Sequence, residues 1–354
     1  MDIGIRAAGF NVLAEIEFDQ HCCSTLRAAV EREKSSTVVI NADIRTIDPL
    51  ELAADYNLKF KKLDLLFGGP PCQSFSLAGK QLGLEDERGP LLFEIIRFAK
   101  ALKPKVILLE QVKGLLSAKG PNQRRGEVFE MFLTQLGNIG YVPKWRVIVA
   151  ADFGVPQLRE RLFVVATYGK NGFTFPERTH APLEECGGLF SCNPYNVVGE
   201  AISGLGKPII KRIGTTNYDD ITNNHVDVTP ARDRERIAQV PEGSYLACQT
   251  HLGEELRKGL SPKDTTKYLR MHRKRPANTL RCGEIFYHPT EDRYLTPREY
   301  MRIHGYPDDY SLKGPIRART GTVKNLDQHR QIANSVPPPL AKALGKSIFD
   351  YLNE

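Results

Sequence analysis

The segment that decides the fold is LDLLFGGPPCQSFS, which runs from Leu63 to Ser76. Its apolar start, Leu63 to Phe67, predicts a short buried strand. Two glycines and two prolines follow, and they predict a stiff loop, because proline fixes φ while glycine lets a ligand approach the backbone closely. The loop carries one cysteine, Cys72, so the sequence predicts a strand that ends in a rigidly held thiol.

Outward from this segment, apolar runs of strand length alternate with helical patterns through the first half of the chain. Runs without polar alternation are typical of parallel strands covered on both faces, so we expect an α/β fold with a parallel sheet. Ligands bind such sheets at the carboxyl ends of the strands. The predicted strands are Asn11 to Phe18, Thr37 to Asn41, Leu63 to Phe67, Val106 to Leu109, Trp145 to Ala150 and Leu162 to Thr167, and the predicted helices are Gln20 to Arg32, Leu91 to Leu102 and Gly126 to Leu136.

The second half of the chain has a different pattern. After about Phe175 the sequence is rich in loops and proline, and its weak periodicity predicts a second domain. A final helix, roughly Pro339 to Tyr351, has apolar residues along one face and is expected to return to the first domain. We therefore predict a first domain at 1–175, a second at 176–320 and a C-terminal segment at 321–354.

The composition is that of a soluble globular protein: 354 residues, 41% hydrophobic and 26% charged. No apolar stretch approaches the length of a bilayer span, and the start MDIGIRAAGF has no signal-peptide pattern. Seven cysteines without a CxxC pair indicate a reducing compartment, so we expect a cytoplasmic protein. His180, Cys186 and Cys192 are too few and too dispersed to favour a zinc site, and no metal is expected.

The positive charge is concentrated in one part of the chain. The formal net charge is +7, and from Leu256 to Arg281 there are nine Lys or Arg residues against one Asp. A solvated surface is the ordinary interpretation of a charge run. A run this one-sided, which also contains Tyr268 and His272, suits a phosphate backbone, so nucleic acid is the favoured partner.

Two further motifs supply groups that a reactive thiol needs. Glu110 follows an apolar run and is expected at the same sheet edge as Cys72. The string QLRER spaces Arg159 and Arg161 so that both lie on one face of a strand. A thiolate attacks electron-poor ring carbons and needs nearby positive charge, while a desolvated carboxyl can donate a proton to a ring nitrogen. Taken singly, these motifs are also compatible with a structural cysteine, a salt-bridge carboxylate and surface arginines.

Five sequence blocks, in order and across almost the whole chain, resemble one family. The blocks are GGPPCQSFS, EQVKGL, ADFGVPQLRERLFVV, RYLTPREYMRIHGYP and QIANSVPPPLAKAL. Together they resemble the DNA cytosine C5 methyltransferases of bacterial and archaeal restriction and modification systems, and the Pro-Pro-Cys-Gln loop is the most specific of them. The resemblance implies a doubly wound, Rossmann-like sheet of the S-adenosylmethionine-dependent type and a smaller, loop-rich target-recognition domain.

The resemblance also implies a role for each catalytic candidate. Cys72 matches the nucleophile that adds to C6 of a cytosine, so that C5 can take a methyl group from S-adenosylmethionine. Glu110 matches the acid that contacts N3 and the amino group. Arg161 matches the arginine directed at O2, with Arg159 as its companion. The cytosine must leave the helix, because its ring is stacked in a duplex.

By the same resemblance, S-adenosyl-L-methionine is the expected cofactor. Glu17 matches the acidic residue for the ribose hydroxyls, and Phe18 matches the aromatic residue that lies on the adenine. The other residues matched to the cofactor pocket are Asp43, Ile44, Pro70, Leu91, Asn334, Ser335 and Val336.

Duplex DNA is the implied substrate, and a cognate restriction endonuclease is the implied functional partner. The segment Ser76 to Glu94 matches the mobile loop that closes over DNA, with hinges at Gly79, Gly83 and Gly89. The candidate DNA contacts are Gln73, Ser76, Lys80, Arg88, Arg270, Arg273, Lys274 and Arg275. We expect no membrane association, and a monomer unless an N-terminal fragment completes the fold.

Two features depart from the family pattern. Members begin with a strand and an Asp-Leu-Phe-x-Gly-x-Gly-Gly loop that cradles the methionine end of the cofactor, whereas Met1 matches the helix that follows. We expect that the sequence starts late or that a separate fragment supplies this first strand. Gln111 stands where the family has Asn and is expected to retune activity. The alternative functions are a catalytically impaired DNA-binding remnant and an RNA cytosine-5 methyltransferase.

Overall fold

The structure is a computed structural model, and it describes residues 1–58, 62–71, 89–169, 172–186, 192–211, 224–257, 260–261, 266–317 and 325–354. The helices of these ranges are α1 (Asp2–Ala7), α2 (Gln20–Glu33), α3 (Pro49–Asp55), α4 (Glu94–Leu102), α5 (Glu127–Asn138), α6 (Val198–Ala201), α7 (Ala231–Ala238), α8 (Glu254–Arg257), α9 (Pro297–Ile303), α10 (Gln328–Asn334) and α11 (Pro338–Asn353). The strands are β1 (Ala14–Glu17), β2 (Val38–Asn41), β3 (Leu65–Gly68), β4 (Val106–Gln111), β5 (Tyr141–Val149), β6 (Gln157–Leu158), β7 (Glu160–Tyr168), β8 (His180–Ala181), β9 (Asn193–Pro194), β10 (Ile209–Ile210), β11 (Val226–Asp227) and β12 (Ala277–Asn278).

A four-stranded sheet in the order β3-β4-β7-β5 organises the first half of the chain. β3 and β4 are parallel, but β7 is antiparallel to both β4 and β5, so the expectation of a parallel sheet is wrong for these two pairs. The connection at 150–159 is too short for the crossover that parallel neighbours need, so β5 and β7 pair as an antiparallel unit. β7 lacks polar alternation because most of its residues are buried, whichever face they occupy.

Helices cover both faces of this sheet. β4 is buried along its whole length, and its successive side chains point to opposite faces. On one face, Val106 shares a buried cluster with Ile5 of α1 and Leu344 of α11. On the other, Ile107 shares a cluster with Phe132 of α5. The C-terminal helix therefore packs against the sheet formed by the first half of the chain.

β1 and β2 form a separate parallel pair connected by α2. α2 begins at Gln20 because the Asp19 carboxylate accepts hydrogen bonds from the backbone N–H groups of His21 and Cys22, at 2.9 and 3.0 Å. Within the described residues, β1 pairs only with β2 and β3 only with β4. The two sets of strands are thus not joined by hydrogen bonds in that part of the chain.

The second half is built from short helices and loops around its own buried cluster, which includes Val198, Phe286 and Tyr300. α9 begins with a capping box, in which Thr296 and Glu299 each accept a hydrogen bond from the other's backbone N–H. The proposed limits of a second domain at 176–320 remain a prediction. None of the helices in the described ranges combines the length and apolar character that a bilayer crossing requires.

Candidate active site

One cavity of about 2440 Å³ lies along β1 and β3 and extends over the end of β4. Its volume is larger than that of a typical small-molecule pocket, so it can hold a nucleoside-sized ligand. The residues of the sequence-based site predictions that line it are Glu17, Phe18, Asp43, Ile44, Pro70, Leu91, Glu110, Arg159, Arg161, Asn334 and Ser335. Residues far apart in sequence, from Glu17 to Ser335, are therefore brought to one cavity.

Part of the predicted site falls outside the described residues. Cys72, Gln73, Ser76, Lys80 and Arg88 all belong to the segment 72–88, as do two of the three proposed hinge glycines. Pro71, which directly precedes Cys72, lines the cavity. The chain thus enters this segment from the cavity wall.

Glu110 and Arg161 form an ion pair across neighbouring strands. Arg161 Nε lies 3.0 Å from Glu110 Oε1, and both side chains are largely shielded from solvent. Arg161 Nη1 also donates to the carbonyl oxygen of Glu160, at 2.7 Å. The hydrogen bond to the Glu160 carbonyl positions the guanidinium beside the carboxyl group, so a positive charge and a carboxyl group stand together at the end of β4.

The Gly-Gly-Pro-Pro loop passes close to this pair. A Cβ added to Gly69 would lie 3.2 Å from Glu110 Oε2, so glycine permits the close approach. Gln111 also contacts the loop: its Nε2 donates to the carbonyl of Pro70 at 3.1 Å, and its Oε1 accepts from the Val112 N–H at 2.8 Å. The side chain of Gln111 is fully buried, so this clamp is shielded from water.

Arg159 is held in a buried network that the sequence did not predict. Its Nη2 donates to the Ser335 carbonyl at 3.1 Å, and His304 Nε2 lies 3.0 Å from the same oxygen. Gln157 Nε2 lies 2.9 Å from His304 Nδ1. Burial and the nearby Arg159 charge hold the pKa of His304 well below its usual range. A neutral His304 therefore accepts at Nδ1 and donates from Nε2, and it links the QLRER strand to the ANSV segment.

Glu17 and Phe18 end β1 at the cavity. Glu17 Oε1 accepts from the Asp19 N–H at 2.8 Å, and burial raises the pKa of Glu17 above its ordinary value. Phe18 is 47% exposed, which is unusual for a large aromatic ring and leaves a ring surface at the cavity. Asn41 fixes the turn by donating to the carbonyls of both residues, each at 3.1 Å.

Asp43 caps the short 3-10 helix Ile44–Thr46. Its carboxylate accepts from the Arg45 backbone N–H at 3.0 Å and from Arg45 Nε at 3.0 and 3.1 Å, and the hydrogen bond to Arg45 lowers the pKa of Asp43. The side chain is thus already paired. Ile44 places an apolar side chain at the same part of the cavity wall.

The ANSV segment contributes unequally to the cavity. Asn334 is exposed and its Oδ1 accepts from Cys282 Sγ at 2.7 Å, while Ser335 is half-buried. Val336 is 5% exposed and belongs to the core against α11. Cys282 was missed from the sequence, because no motif or spacing distinguishes it there.

The basic run does not act as a single surface, and one predicted DNA contact needs correction. Arg270 is buried, and its guanidinium donates to the carbonyls of Pro289, Ile237 and Val240. Asp292 lies 3.1 Å away and balances its charge. Arg270 is therefore a structural residue, because its guanidinium is buried and makes its contacts within the fold.

The other predicted contacts in this run are on the surface. Arg273, Lys274 and Arg275 are exposed, and Arg273 Nε lies 3.5 Å from Glu242. Lys267 and Arg281 of the same run line the cavity. Positive charge is thus available both at the cavity and on the neighbouring surface.

The two cysteines and the histidine of the disfavoured zinc site lie within the described residues. Cys186 Sγ and Cys192 Sγ lie 3.6 Å apart, and the His180 ring contacts Thr179. Among the residues that the structure describes, no three His, Cys, Asp or Glu side chains are grouped to hold a metal ion.

Comparison with known proteins gives relatives over the whole length. Type II methyltransferase M.NgoFVII of Neisseria gonorrhoeae is 31% identical over 360 residues, covering 100% of this chain and 84% of that protein. Type II methyltransferase M.PspPI of Psychrobacter is 33% identical over 365 residues, covering 99% and 76%. Among solved structures, DNMT2 of Spodoptera frugiperda has a TM-score of 0.58 at 17% identity, covering 98% of this chain and 96% of that one, which supports the fold alone.

A family model agrees with these relatives. The model of the C-5 cytosine-specific DNA methylases matches residues 1–350 of the chain. The match includes the Gly-Gly-Pro-Pro loop, the Glu110–Arg161 pair and the ANSV segment. This chain therefore belongs to the C-5 cytosine-specific DNA methylase family.

Proposed function

We propose that the chain, a DNA cytosine-5 methyltransferase by family, methylates C5 of cytosine within a short duplex sequence. The methyl donor is S-adenosyl-L-methionine, and Cys72 attacks C6 of a flipped-out base. The observation that carries the proposal is the Glu110–Arg161 pair at 3.0 Å, placed at the cavity that also receives the loop leading to Cys72. A thiol loop, an acid and a fixed cation are the groups that addition to a cytosine ring requires.

The base is activated by groups of this chain. Cys72 loses its proton to solvent and attacks as the thiolate, so that a bond forms from Sγ to C6 while the C5–C6 double bond opens. Glu110, once protonated from solvent, gives its proton to N3, so that electron density accumulates at C5. The guanidinium groups of Arg161 and Arg159 stabilise the negative charge that develops on the ring. After C5 takes the methyl group, its proton passes to a solvent base, the C5–C6 double bond re-forms, the Sγ–C6 electron pair leaves with Cys72 as the thiolate, and the N3 proton returns to Glu110. Flipping the base costs a few kcal/mol, which contacts in the cavity offset.

The cavity residues also fit the cofactor. The exposed ring of Phe18 offers a stacking surface for adenine, and Glu17 offers a carboxylate to ribose hydroxyls. Asn334 and Ser335, from the C-terminal part of the chain, add polar groups to the cavity lining, and Leu91 and Ile44 add apolar side chains. When bound, the cofactor supplies an electrophilic methyl group. Asp43 is proposed for the adenine amino group, although Arg45 competes for its carboxylate.

We extend the proposal to the arrangement of the strands and to the second half of the chain. We infer that the two sets of strands are parts of one doubly wound, Rossmann-like sheet, in which β1 and β3 are not paired with each other among the described strands. We also infer that 176–320 recognises the target sequence and that Arg273, Lys274 and Arg275 contact its backbone. The family description, which names DNA methylases, supports DNA as the substrate.

The experiment that tests the proposal measures transfer of a labelled methyl group from S-adenosylmethionine to a mixed-sequence duplex and to an RNA of the same sequence. We expect label in the duplex only, and bisulfite sequencing should place it at cytosine C5 within one short sequence. Label in the RNA alone would replace the proposal by an RNA methyltransferase. Tight duplex binding without label would support the catalytically impaired remnant instead.

The clamp made by Gln111 leads to a prediction. Asn is shorter by one methylene and cannot reach both the Pro70 carbonyl and the Val112 N–H, so Gln111→Asn should lose about one hydrogen bond. We expect the single-turnover methylation rate to fall about five-fold, because a bond of this kind is worth about 1 kcal/mol. The exposed Gln123→Asn variant is the matched control, since its positive φ suits Asn. An unchanged rate in Gln111→Asn would show that the clamp does not position the loop.

The exposed arginine and lysine of the basic run lead to a second prediction. Arg273→Ala and Lys274→Ala should each weaken duplex binding regardless of sequence. Each should also reduce the slope of log affinity against log salt by about 0.9, because one phosphate contact is lost. Fluorescence anisotropy over a salt series measures both quantities. Lys342→Ala, an exposed charge change on α11, should leave the slope unchanged. Equal slopes in all variants would remove these residues from the DNA interface.

A further inference from the structure

Two cysteines of the second half of the chain stand side by side, and we call them the thiol pair. Cys186 Sγ lies 3.6 Å from Cys192 Sγ. Both cysteines are free and half-buried, so small molecules from solvent can reach them. They are six positions apart in the sequence, so a bond between their sulfur atoms would close a short ring. The proposed methyl transfer uses neither of them.

Two short parallel strands hold the segment that carries the thiol pair. β8 precedes the pair and β9 follows it. The Asn193 N–H donates to the Thr179 carbonyl at 3.0 Å, and the Tyr195 N–H donates to the Ala181 carbonyl at 2.9 Å. This backbone pairing brings the two ends of the segment together, and the two cysteines with them.

The strands around the thiol pair are anchored to the short 3-10 helix Ala150–Phe153. The Asp152 carbonyl accepts from the Thr179 N–H at 2.9 Å, and the Asp152 carboxylate accepts from the Tyr195 hydroxyl at 2.6 Å. Pro182 and Tyr195, which lie between and beyond the two cysteines and their strands, both line the large cavity. The thiol pair therefore belongs to a fixed part of the fold that borders the cavity.

A bond between the two sulfur atoms suits this site better than a shared metal ion. Within the described ranges, no third His, Cys, Asp or Glu joins the two thiols to form a set of metal ligands. The bonded distance in a disulfide is about 2.05 Å, so the sulfurs need to approach each other by about 1.5 Å. Rotation about the Cα–Cβ bonds supplies a movement of this size.

The charges around the thiol pair indicate which sulfur reacts first. Desolvation, together with the hydrogen bond and the charge of Cys192, raises the pKa of Cys186 above its ordinary value. The Arg178 guanidinium, which pairs with Glu185 at 2.8 Å, partly offsets this rise. Cys192 is therefore the sulfur that attacks first. Once Cys192 is bonded, the charge that keeps Cys186 protonated is gone, and Cys186 can react in turn.

We propose that Cys186 and Cys192 form a reversible disulfide by exchange with a small organic disulfide of the glutathione type. Cys192 Sγ loses its proton to solvent and attacks one sulfur of that molecule, so that a mixed disulfide forms and one thiolate leaves. Cys186 Sγ, after losing its own proton, attacks Cys192 Sγ, and the second thiolate leaves. The two cysteines thus lose two electrons and two protons, and the small disulfide is reduced to two thiols.

The cross-link would change contacts at the cavity wall. Cys186 Sγ donates to the carbonyls of Ala181 and Pro182, at 3.6 and 3.4 Å. A disulfide has no S–H group, so oxidation removes both contacts, one of them at a residue that lines the cavity. Reversible disulfides of this kind serve as redox sensors in reducing compartments.

The test equilibrates the full chain in buffers of graded ratio of reduced to oxidised glutathione, stops the exchange with acid and labels the remaining thiols with N-ethylmaleimide. Trypsin then releases the peptide 179–211, which contains both cysteines of the thiol pair and no other, because Lys207 precedes proline. We expect this peptide to be two hydrogens lighter and unlabelled in oxidising buffers. In protein unfolded by guanidinium, half-oxidation should need a ratio at least ten-fold more oxidising, because the strands no longer hold the sulfurs together.

Variants separate the two steps. Cys186→Ser should stop at the mixed disulfide, with one glutathione on Cys192. Cys248→Ser, which removes an exposed cysteine elsewhere, should leave the cross-link unchanged.

Four results would overturn the proposal: a fully labelled peptide in oxidising buffers, glutathione adducts without the cross-link in the parental protein, no adduct in Cys186→Ser, or the same half-oxidation ratio in folded and unfolded protein. None of these readouts depends on methyl transfer, so failure here leaves the proposed function standing.

Discussion

Replacement of Cys72 by serine is expected to abolish methyl transfer, with a loss of at least about a thousand-fold in the single-turnover rate. A serine hydroxyl is far less ionised than a thiol at neutral pH and is a poorer nucleophile toward a ring carbon. The variant should still bind duplex DNA, because the basic surface is unchanged. Rapid-quench measurement of labelled methyl incorporation gives the rate.

A second cysteine provides the control. Cys248 is exposed and is not among the residues that line the cavity, so Cys248→Ser should keep the parental rate. Comparable activity in the Cys72→Ser and parental proteins would exclude a covalent route through Cys72. Equal loss in both cysteine variants would point to a general effect of cysteine removal rather than to the nucleophile.

Replacement of Glu110 by glutamine should produce the second largest effect, a fall of about a hundred- to ten-thousand-fold in rate. Glutamine keeps the size of the side chain and can donate a hydrogen bond, but it cannot transfer a proton to N3. It also removes the negative partner that lies 3.0 Å from Arg161 Nε. Thermal unfolding of the variant must therefore be measured beside the rate, since a shielded cation without a partner is costly.

The control carboxylate for this experiment is Glu130, an exposed residue of α5 that pairs with Arg124. Glu130→Gln should retain both rate and stability, because exposed ion pairs contribute little. If Glu110→Gln remained folded and lost less than about ten-fold in rate, Glu110 would act by positioning Arg161 rather than as an acid. If the residual activity kept the pH dependence of the parental protein, this would also indicate that Glu110 positions Arg161 and is not the acid.

Sequence periodicity located four of the eleven helices that the structure describes. The predictions for α2, α5 and α11 agree with the structure to within two residues at each end. The predicted helix from Leu91 begins later, at Glu94, because Gly89–Phe93 forms a 3-10 helix. β5 begins four residues earlier than predicted and contains Pro143, which is tolerated because β5 is an edge strand.

Strand direction could not be predicted from the same patterns. A strand buried on both faces has no polar alternation, whether its neighbours are parallel or antiparallel, so the run that became β7 was misinterpreted. Only the short connection at 150–159 carried the information. The distribution of charge had a similar limit, because the sequence does not indicate that the Arg270 guanidinium points inward to three carbonyls.

The candidate site was predictable where a motif encodes it and not where tertiary contacts do. Glu110 and Arg161 were predicted from strand ends, and the structure brings them into contact. The buried link through His304 joins segments nearly 150 residues apart, and no local spacing indicates it. Cys282 beside Asn334 is of the same kind.

The proposed chemistry can be examined without any methyl donor, by release of tritium from duplex DNA labelled at cytosine C5. When Cys72 adds to C6, C5 takes a proton from water, and reversal of the addition then releases the label. The protein should therefore transfer tritium to water at a rate that depends on Cys72 and Glu110, and Cys72→Ser should release none above background. Absence of release from the parental protein, or equal release from Cys72→Ser, would contradict the assignment of Cys72 as the nucleophile that attacks cytosine.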